Sequence, residues 1–334
     1  MNSFEVSARF FPTPLQQVVY FDTYSRWRND LGRRETWVET VARTGAHLRE
    51  LSQNQLDPAD YEFLQQQMLS MRAMPSMRLL SMAGEAARRE PVSIYNCSAL
   101  PIIDLRAFGE VMYLSMHGVG VGYSVERQFV SQLPSVVFKG GKTTHRGTHY
   151  VGDSTEGWVE ALQLGIETWF AGDDISFNFD FVRPAGAILF TKGGRASGPE
   201  PLKRSLLKIR EIILGAAGRQ LLPFEVHRIV CLIAGASICG GMRRSALLAL
   251  FDPDEQGMLR CKAGSGWWNS YPELAYSNNS AVIGGETSEY QIDTLLRQMD
   301  ENGTGEPGLF NRDGVDALRP ERRSSAVWLT NPCG

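Results

Sequence analysis

The 334 residues could form one large domain or two ordinary ones, and 43% of them are hydrophobic, enough for a sizeable core. A net charge of −3 gives no general attraction to nucleic acid or to a membrane surface, so a phosphate-bearing ligand has to meet local positive groups. No apolar run approaches the ~18 residues of a membrane span. The start, MNSFEVSARFFPTPLQQ, lacks the basic-then-apolar order of a signal peptide. The expected compartment is the cytoplasm, where Cys97, Cys231, Cys239, Cys261 and Cys333 are thiols by default. With no CxxC, no HExxH and five histidines, structural zinc is not expected.

Asp57-Pro58 reads as an N-cap followed by proline at the first helical position, opening a helix to about residue 71. A second helix is expected from Asp104, with Phe108, Val111, Met112, Ser115 and Met116 on one face. In GVGVGYSV, Val119, Val121, Tyr123 and Val125 alternate with small residues. That is a strand with one nearly bare face, which lets another group approach its backbone. Asp153 with Glu156 resembles a capping box before a helix carrying Trp158, Leu162 and Trp169. A glycine- and proline-rich loop over 193–201 feeds a helix with Leu202, Leu206, Ile209 and Ile213 on one face, and another helix begins near Pro223. ALLALF, 246–251, reads as a buried parallel strand. SNNS, 277–280, is polar enough for a loop, and a last amphipathic helix spans 290–299. Strands alternating with helices give an α/β architecture. Cys231 and Cys239 lie eight apart on an apolar helix and read as core, whereas Cys261, among polar residues, reads as a surface thiol.

Generic nucleotide motifs fail. There is no GxxxxGK[ST], and Gly118, Gly120 and Gly122 miss the dinucleotide fingerprint because Tyr123 stands where the third glycine belongs. What remains is an ordered set: RRETWVETVAR, MPSM, YNCS, GVGVGYS, STEGW, VRPAGA, GGRASGPEPL, GGMRRSALLAL, YSNNSAV, GEPGLFNRDG and NPCG. In order and spacing it resembles the catalytic chain of a ribonucleotide reductase, closest to the adenosylcobalamin-dependent class. The resemblance implies a ten-stranded α/β barrel of two five-stranded parallel halves. Residues 1–90 would form a mainly helical region and 91–334 the first half-barrel, with SNNS as an ordered barrel loop.

The same resemblance implies reduction of ribonucleoside di- or triphosphates to deoxyribonucleotides by thiyl-radical chemistry, with adenosylcobalamin as cofactor. Cys333, in NPCG, would be the radical cysteine, and Asn331 would hydrogen-bond the ribose. Cys97, in YNCS, would be one member of a reducing dithiol. Ser76, Asn96 and Gly118 would contact substrate; Asp104, Arg127 and Arg195 would bind a deoxynucleotide effector or relay its identity. The family's catalytic glutamate and second reducing thiol follow NPCG. The expectation is therefore a split or interrupted enzyme that needs a C-terminal half, alongside a thioredoxin-type reductant. Only about thirty residues separate Arg127 from Gly157, too few for the insertion that builds an effector site within one chain, so a homodimer is expected.

Blander readings stand beside these. Asp104 could be a helix N-cap, Ser76 a turn serine, Asn331 a cap on the turn before Pro332, and Arg127 a solvated charge. Arg243 and Arg244 carry no assigned site. The rival functions are an oxygen-dependent reductase with a separate radical subunit, and a non-catalytic nucleotide-binding paralogue.

Overall fold

The structure is a computed structural model and describes residues 3–187, 195–237 and 246–333. The chain divides into two compact units, Met1–Asn96 and Cys97–Gly334.

The first unit is mainly helical. Its longest helix, α1 (Trp37–Leu51), starts at a capping box: Thr36 Oγ1 accepts from Glu39 N–H, and the Glu39 carboxylate accepts from Thr36 N–H. Trp37 and Val41 then point into a cluster with Phe11, Tyr20, Met68 and Leu80. The buried Glu35 carboxylate is held by Arg43 at 2.9 Å, so the charge beneath this cluster is paired. The second helix, α2 (Pro58–Leu69), stops close to the expected residue 71. Ser76 opens α3 (Met77–Met82), its hydroxyl accepting from Leu79 N–H at 3.1 Å.

The second unit is built on a five-stranded, wholly parallel sheet. Its strands are β1 (Cys97–Pro101), β2 (Gly120–Ser124), β5 (Leu247–Phe251), β6 (Ser277–Ile283) and β7 (Gly308–Asn311), in the order β1-β2-β5-β6-β7. A separate parallel pair, β3 (His145–Tyr150) and β4 (Asp174–Asn178), lies outside it. The connecting helices are α4 (Arg106–Met116), α5 (Thr155–Phe170), α6 (Glu200–Gly215), α7 (Pro223–Ser237) and α8 (Glu289–Asn302), and α9 (Arg312–Ala317) follows β7. Val121 and Tyr123 alternate onto the helix-packed face, where they join Phe108, Val111 and Met112 of α4 and Ile229, Val230 and Ile233 of α7 in one core. The opposite face carries Cys97, Gly120 and Gly122, with Asn278 exposed and Ser280 half-buried. ALLALF is the buried parallel strand that its composition predicts.

Four local expectations are corrected. Helix α5 is capped by Ser154, whose hydroxyl accepts from Gly157 N–H at 3.0 Å, whereas Asp153 pairs with Arg183. SNNS is the first part of β6 rather than a loop. Its polar side chains are tolerated in a strand because they find buried partners: Tyr123 donates to Ser277 Oγ at 3.2 Å, and Asn279 Nδ2 lies 3.2 Å from Cys261 Sγ. Cys261 is accordingly buried, not a surface thiol, and burial pushes its pKa up to about 12. Finally, α8 runs longer than 290–299 and is followed by α9. Cys239, Gly193, Arg243, Arg244 and Gly334 lie outside the described residues. Among those described, no helix is long and apolar enough to cross a membrane.

Candidate active site

Two thiols 236 residues apart in sequence meet at the start of the sheet. Cys97 is the first residue of β1 and half-buried; Cys333 is exposed; their Sγ atoms lie 2.9 Å apart. The arrangement depends on atoms that are missing. A Cβ added to Gly122 would sit 1.8 Å from the Thr330 carbonyl oxygen and 2.9 Å from Asn331 Cα. One added to Gly120 would sit 3.4 Å from Cys97 Sγ and 3.5 Å from Pro332 Cγ. The bare face read from GVGVGYS is therefore the face on which NPCG lies. Because residue 330 meets 122 and residue 332 meets 120, the terminal segment runs antiparallel to β2 across it.

The upper end of that segment is held by charge. Arg312, the first residue of α9, donates through Nε to the Trp328 carbonyl at 2.9 Å. Its two terminal nitrogens reach the Glu126 carboxylate, just beyond β2, at 2.7 and 2.6 Å. Burial alone drives the Glu126 pKa up, but the Arg312 guanidinium and the Ser124 hydroxyl at 2.6 Å hold it below the usual carboxylate range. The Trp328 indole N–H donates to Asp316 at 2.6 Å, a second tie on the same segment. Near Cys333, Asn331 Oδ1 accepts from the Cys333 N–H at 2.9 Å and closes the turn at Pro332.

The GEPGLFNRDG stretch supplies the wiring. The Glu306 carboxylate lies 2.8 Å from the buried Lys262 ammonium, and burial still keeps the Glu306 pKa above its ordinary value. Asn311 caps α9, Asp313 accepts from Gly285 N–H, and Arg312 makes the clamp just described. Neither Arg312 nor Glu126 is among the site residues expected from the sequence motifs. The signal was an arginine directly after a strand within an already suspect motif, but its partner is 186 residues away.

The other expected site residues fall as follows. Gly118 ends the turn between α4 and β2 with φ +70, a left-handed conformation that suits glycine. Asp104 Oδ1 accepts from Ala107 N–H at 3.0 Å, the helix-start role. The Arg127 guanidinium faces Asp252, Asp254 and Glu255, and its backbone N–H donates to Asp252. Arg195 donates to the Gly186 carbonyl at 2.9 Å. Ser76 and Asn96 belong to the first unit. The structure thus brings Cys97, Asn331 and Cys333 together and leaves Asp104, Arg127 and Arg195 in local pairings of their own.

The parallel α/β sheet, with a cysteine-bearing segment lying along a glycine strand, is consistent with the resemblance to a ribonucleotide reductase catalytic chain, and the comparisons point to the same family. The ribonucleotide reductase alpha domain matches residues 1–84. The adenosylcobalamin-dependent ribonucleoside-triphosphate reductase of Lactobacillus delbrueckii subsp. bulgaricus is 30% identical, over 95% of this chain and 52% of its own length. That of Euglena gracilis is 27% identical, over 96% and 46%. The crystal structure of a B12-dependent (class II) ribonucleotide reductase superposes with a TM-score of 0.74 at 26% identity, covering 88% of this chain and 48% of the other. The chain is thus similar to the catalytic chains of adenosylcobalamin-dependent ribonucleotide reductases. It spans about half the length of the curated relatives it matches.

Proposed function

We propose that this chain supplies the radical cysteine and one reducing thiol of an enzyme that converts ribonucleoside di- or triphosphates to deoxyribonucleotides. The observation that carries the reading is the apposition of Cys97 and Cys333 at 2.9 Å beside the glycine face of β2. Adenosylcobalamin, when bound, supplies the carbon-centred radical that such chemistry starts from. The residues present fit it in that Cys333, the thiol that would receive the radical, is exposed.

Cys333 as a thiyl radical takes the 3′-hydrogen of the ribose, and the S–H and C–H bonds are close enough in strength for the atom to return. The 2′-hydroxyl leaves as water, its proton and the two electrons coming from Cys97 and a second thiol. The balance is one ribonucleotide and two thiols in, one deoxyribonucleotide, one water and one disulfide out, with a thioredoxin-type dithiol restoring the pair. The remaining five strands of a ten-stranded barrel would provide the second thiol and the base for the 3′-hydroxyl. What supports the barrel is the sheet's open face: an all-parallel sheet is ordinarily covered on both sides, and here one side carries half-exposed Leu248 and Ser280 and exposed Asn278. Ser76, Asn96 and Gly118 are assigned to substrate, and Asp104, Arg127 and Arg195 to a deoxynucleotide effector shared between two copies.

The test is turnover of a ribonucleotide by this chain together with the second half-barrel, adenosylcobalamin and a dithiol. Cys333→Ser is expected to abolish product altogether. Cys97→Ser should abolish multiple turnover while leaving radical formation at Cys333 largely intact. Sustained turnover by either variant overturns the assignment.

A further inference from the structure

We propose that Arg312 and Glu126 form a register lock that sets where Cys333 sits along β2. The segment from Trp328 crosses the glycine face, with Thr330 at Gly122 and Pro332 at Gly120, and ends in a turn at Pro332 and Cys333, so its position is fixed by its two ends and by its contacts between them. The middle contacts are weak determinants of register. Gly122 and Gly120 present only backbone, and a carbonyl can slide along a surface that has no side chains to stop it. The lower end is the half-buried turn at Asn331 and Pro332, which leads to exposed Cys333. The upper end is the rigid one. Arg312 is anchored to the buried Glu126 by two parallel hydrogen bonds, and its Nε holds the Trp328 carbonyl. Glu126 is itself fixed to the end of β2 by Ser124 and by Gln128 Nε2 at 2.9 Å. The guanidinium therefore ties the first residue of the segment to the strand along which the segment lies.

The length of the run gives the lock its leverage. A slip of one residue moves every atom of an extended chain by about 3.3 Å, which is enough to separate two sulfur atoms now 2.9 Å apart. Lysine cannot replace this device, because one ammonium presents no planar fork to the carboxylate together with a third, divergent donor to the carbonyl. Arg312 and Glu126 are positioning residues, and their importance for ribonucleotide reduction rests on the reading of Cys333 given above.

The lock is tested on this chain without any turnover. Equilibration with glutathione and glutathione disulfide converts the two thiols to a disulfide while one glutathione disulfide becomes two glutathiones. Peptide mapping of the Cys97–Cys333 link gives the effective concentration of one thiol at the other. Arg312→Lys keeps Glu126 neutralised, and Glu126→Gln combined with Arg312→Met removes both charges, so neither leaves a bare buried carboxylate. In both, the thermal midpoint should stay close to that of the unaltered chain, and the effective concentration should fall at least about tenfold. An unchanged effective concentration in the folded variants overturns the proposal. Loss of cooperative melting in both also overturns it, because the pair would then hold the unit together rather than place the segment. If the thiol coupling falls as expected but the assembled enzyme makes no deoxyribonucleotide, the functional reading fails and the lock stands.

Discussion

At the scale of single residues, Gly120 and Gly122 look interchangeable in GVGVGYS but are not. A methyl group at 122 would collide with the Thr330 carbonyl, a backbone atom that cannot rotate away, whereas at 120 it would reach only ordinary contact distances. Gly122→Ala should therefore cost about 1–3 kcal/mol in chemical denaturation, or displace the terminal segment. Gly120→Ala should cost distinctly less, and equal effects would contradict the geometry. Thiol chemistry separates the cysteines in the same way. Burial raises the pKa of both Cys231 and Cys261 to about 12. A thiol reagent at pH 8 should thus modify exposed Cys333 at least about tenfold faster than either, and fast labelling of Cys261 would contradict its place beside Asn279 and Met258. The bare strand face was legible in the sequence because alternation is a local signal. The identity of what lies on it was not, because Thr330 comes 208 residues after Gly122. Cys261 was misread for a related reason: its sequence neighbours are polar, but its spatial neighbours come from β6 and α7.

At the scale of elements, the interface between α7 and the sheet contains a polar knot inside the core. The Tyr123 hydroxyl lies 2.6 Å from His227 Nδ1 and 3.2 Å from Ser277 Oγ, with Cys231 Sγ at 3.8 Å. Burial lowers the His227 pKa from 6.5 to about 3, with the Lys262 charge pushing the same way. The unfolded chain takes up this proton near pH 6.5 and the folded chain does not until about 3. Stability is therefore unaffected by this group above 6.5 and falls as the pH drops through the window below it. Between pH 6.5 and 5.5 the loss should be about 1 kcal/mol. The carboxylates held low in the fold, Glu126, Glu225 and Asp174 among them, add their losses only at lower pH, near and below their ordinary values. Urea midpoints measured across this range should show the slope in the unaltered chain and not in His227→Gln; the same slope in both would remove His227 as its source. The buried strand at 247–251 and the helices α4, α6 and α7 were readable because continuous or periodic apolar runs encode them. The β6 strand was not, since Ser277 and Asn279 are buried against partners that only the fold supplies.

At the scale of the molecule, the sheet has a covered face and a face lined by glycine, serine, asparagine and the two thiols. Its edges are β1 and β7, and an edge strand leaves half of its backbone groups unpaired with a neighbour. Amide exchange in Gly308–Asn311 should be fast in this chain and should slow markedly when a second half-barrel is supplied; no change would contradict the ten-stranded reading. The effector assignment is tested at the same scale. Saturating deoxynucleotide should raise the mass seen by light scattering, and a protein that binds effector tightly while remaining a monomer would contradict a site shared between copies. The general architecture was legible because alternating strand and helix signals are local. The division of labour between the sheet's faces was legible only in part, since two buried faces and one differ by contacts that no short window contains.

The separation of the two thiols along the chain also fixes when the site can come into being. Cys97 enters its strand early, but the residue that completes the pair is made 236 residues later. At about 5–20 residues per second of synthesis, that is an interval of some tens of seconds, and contacts so distant in sequence are among the last to form. A nascent chain can thus build its helices and central strands before its two thiols can meet. On the proposed assignment of Cys333, the capacity to carry a radical arrives only once that residue has been made.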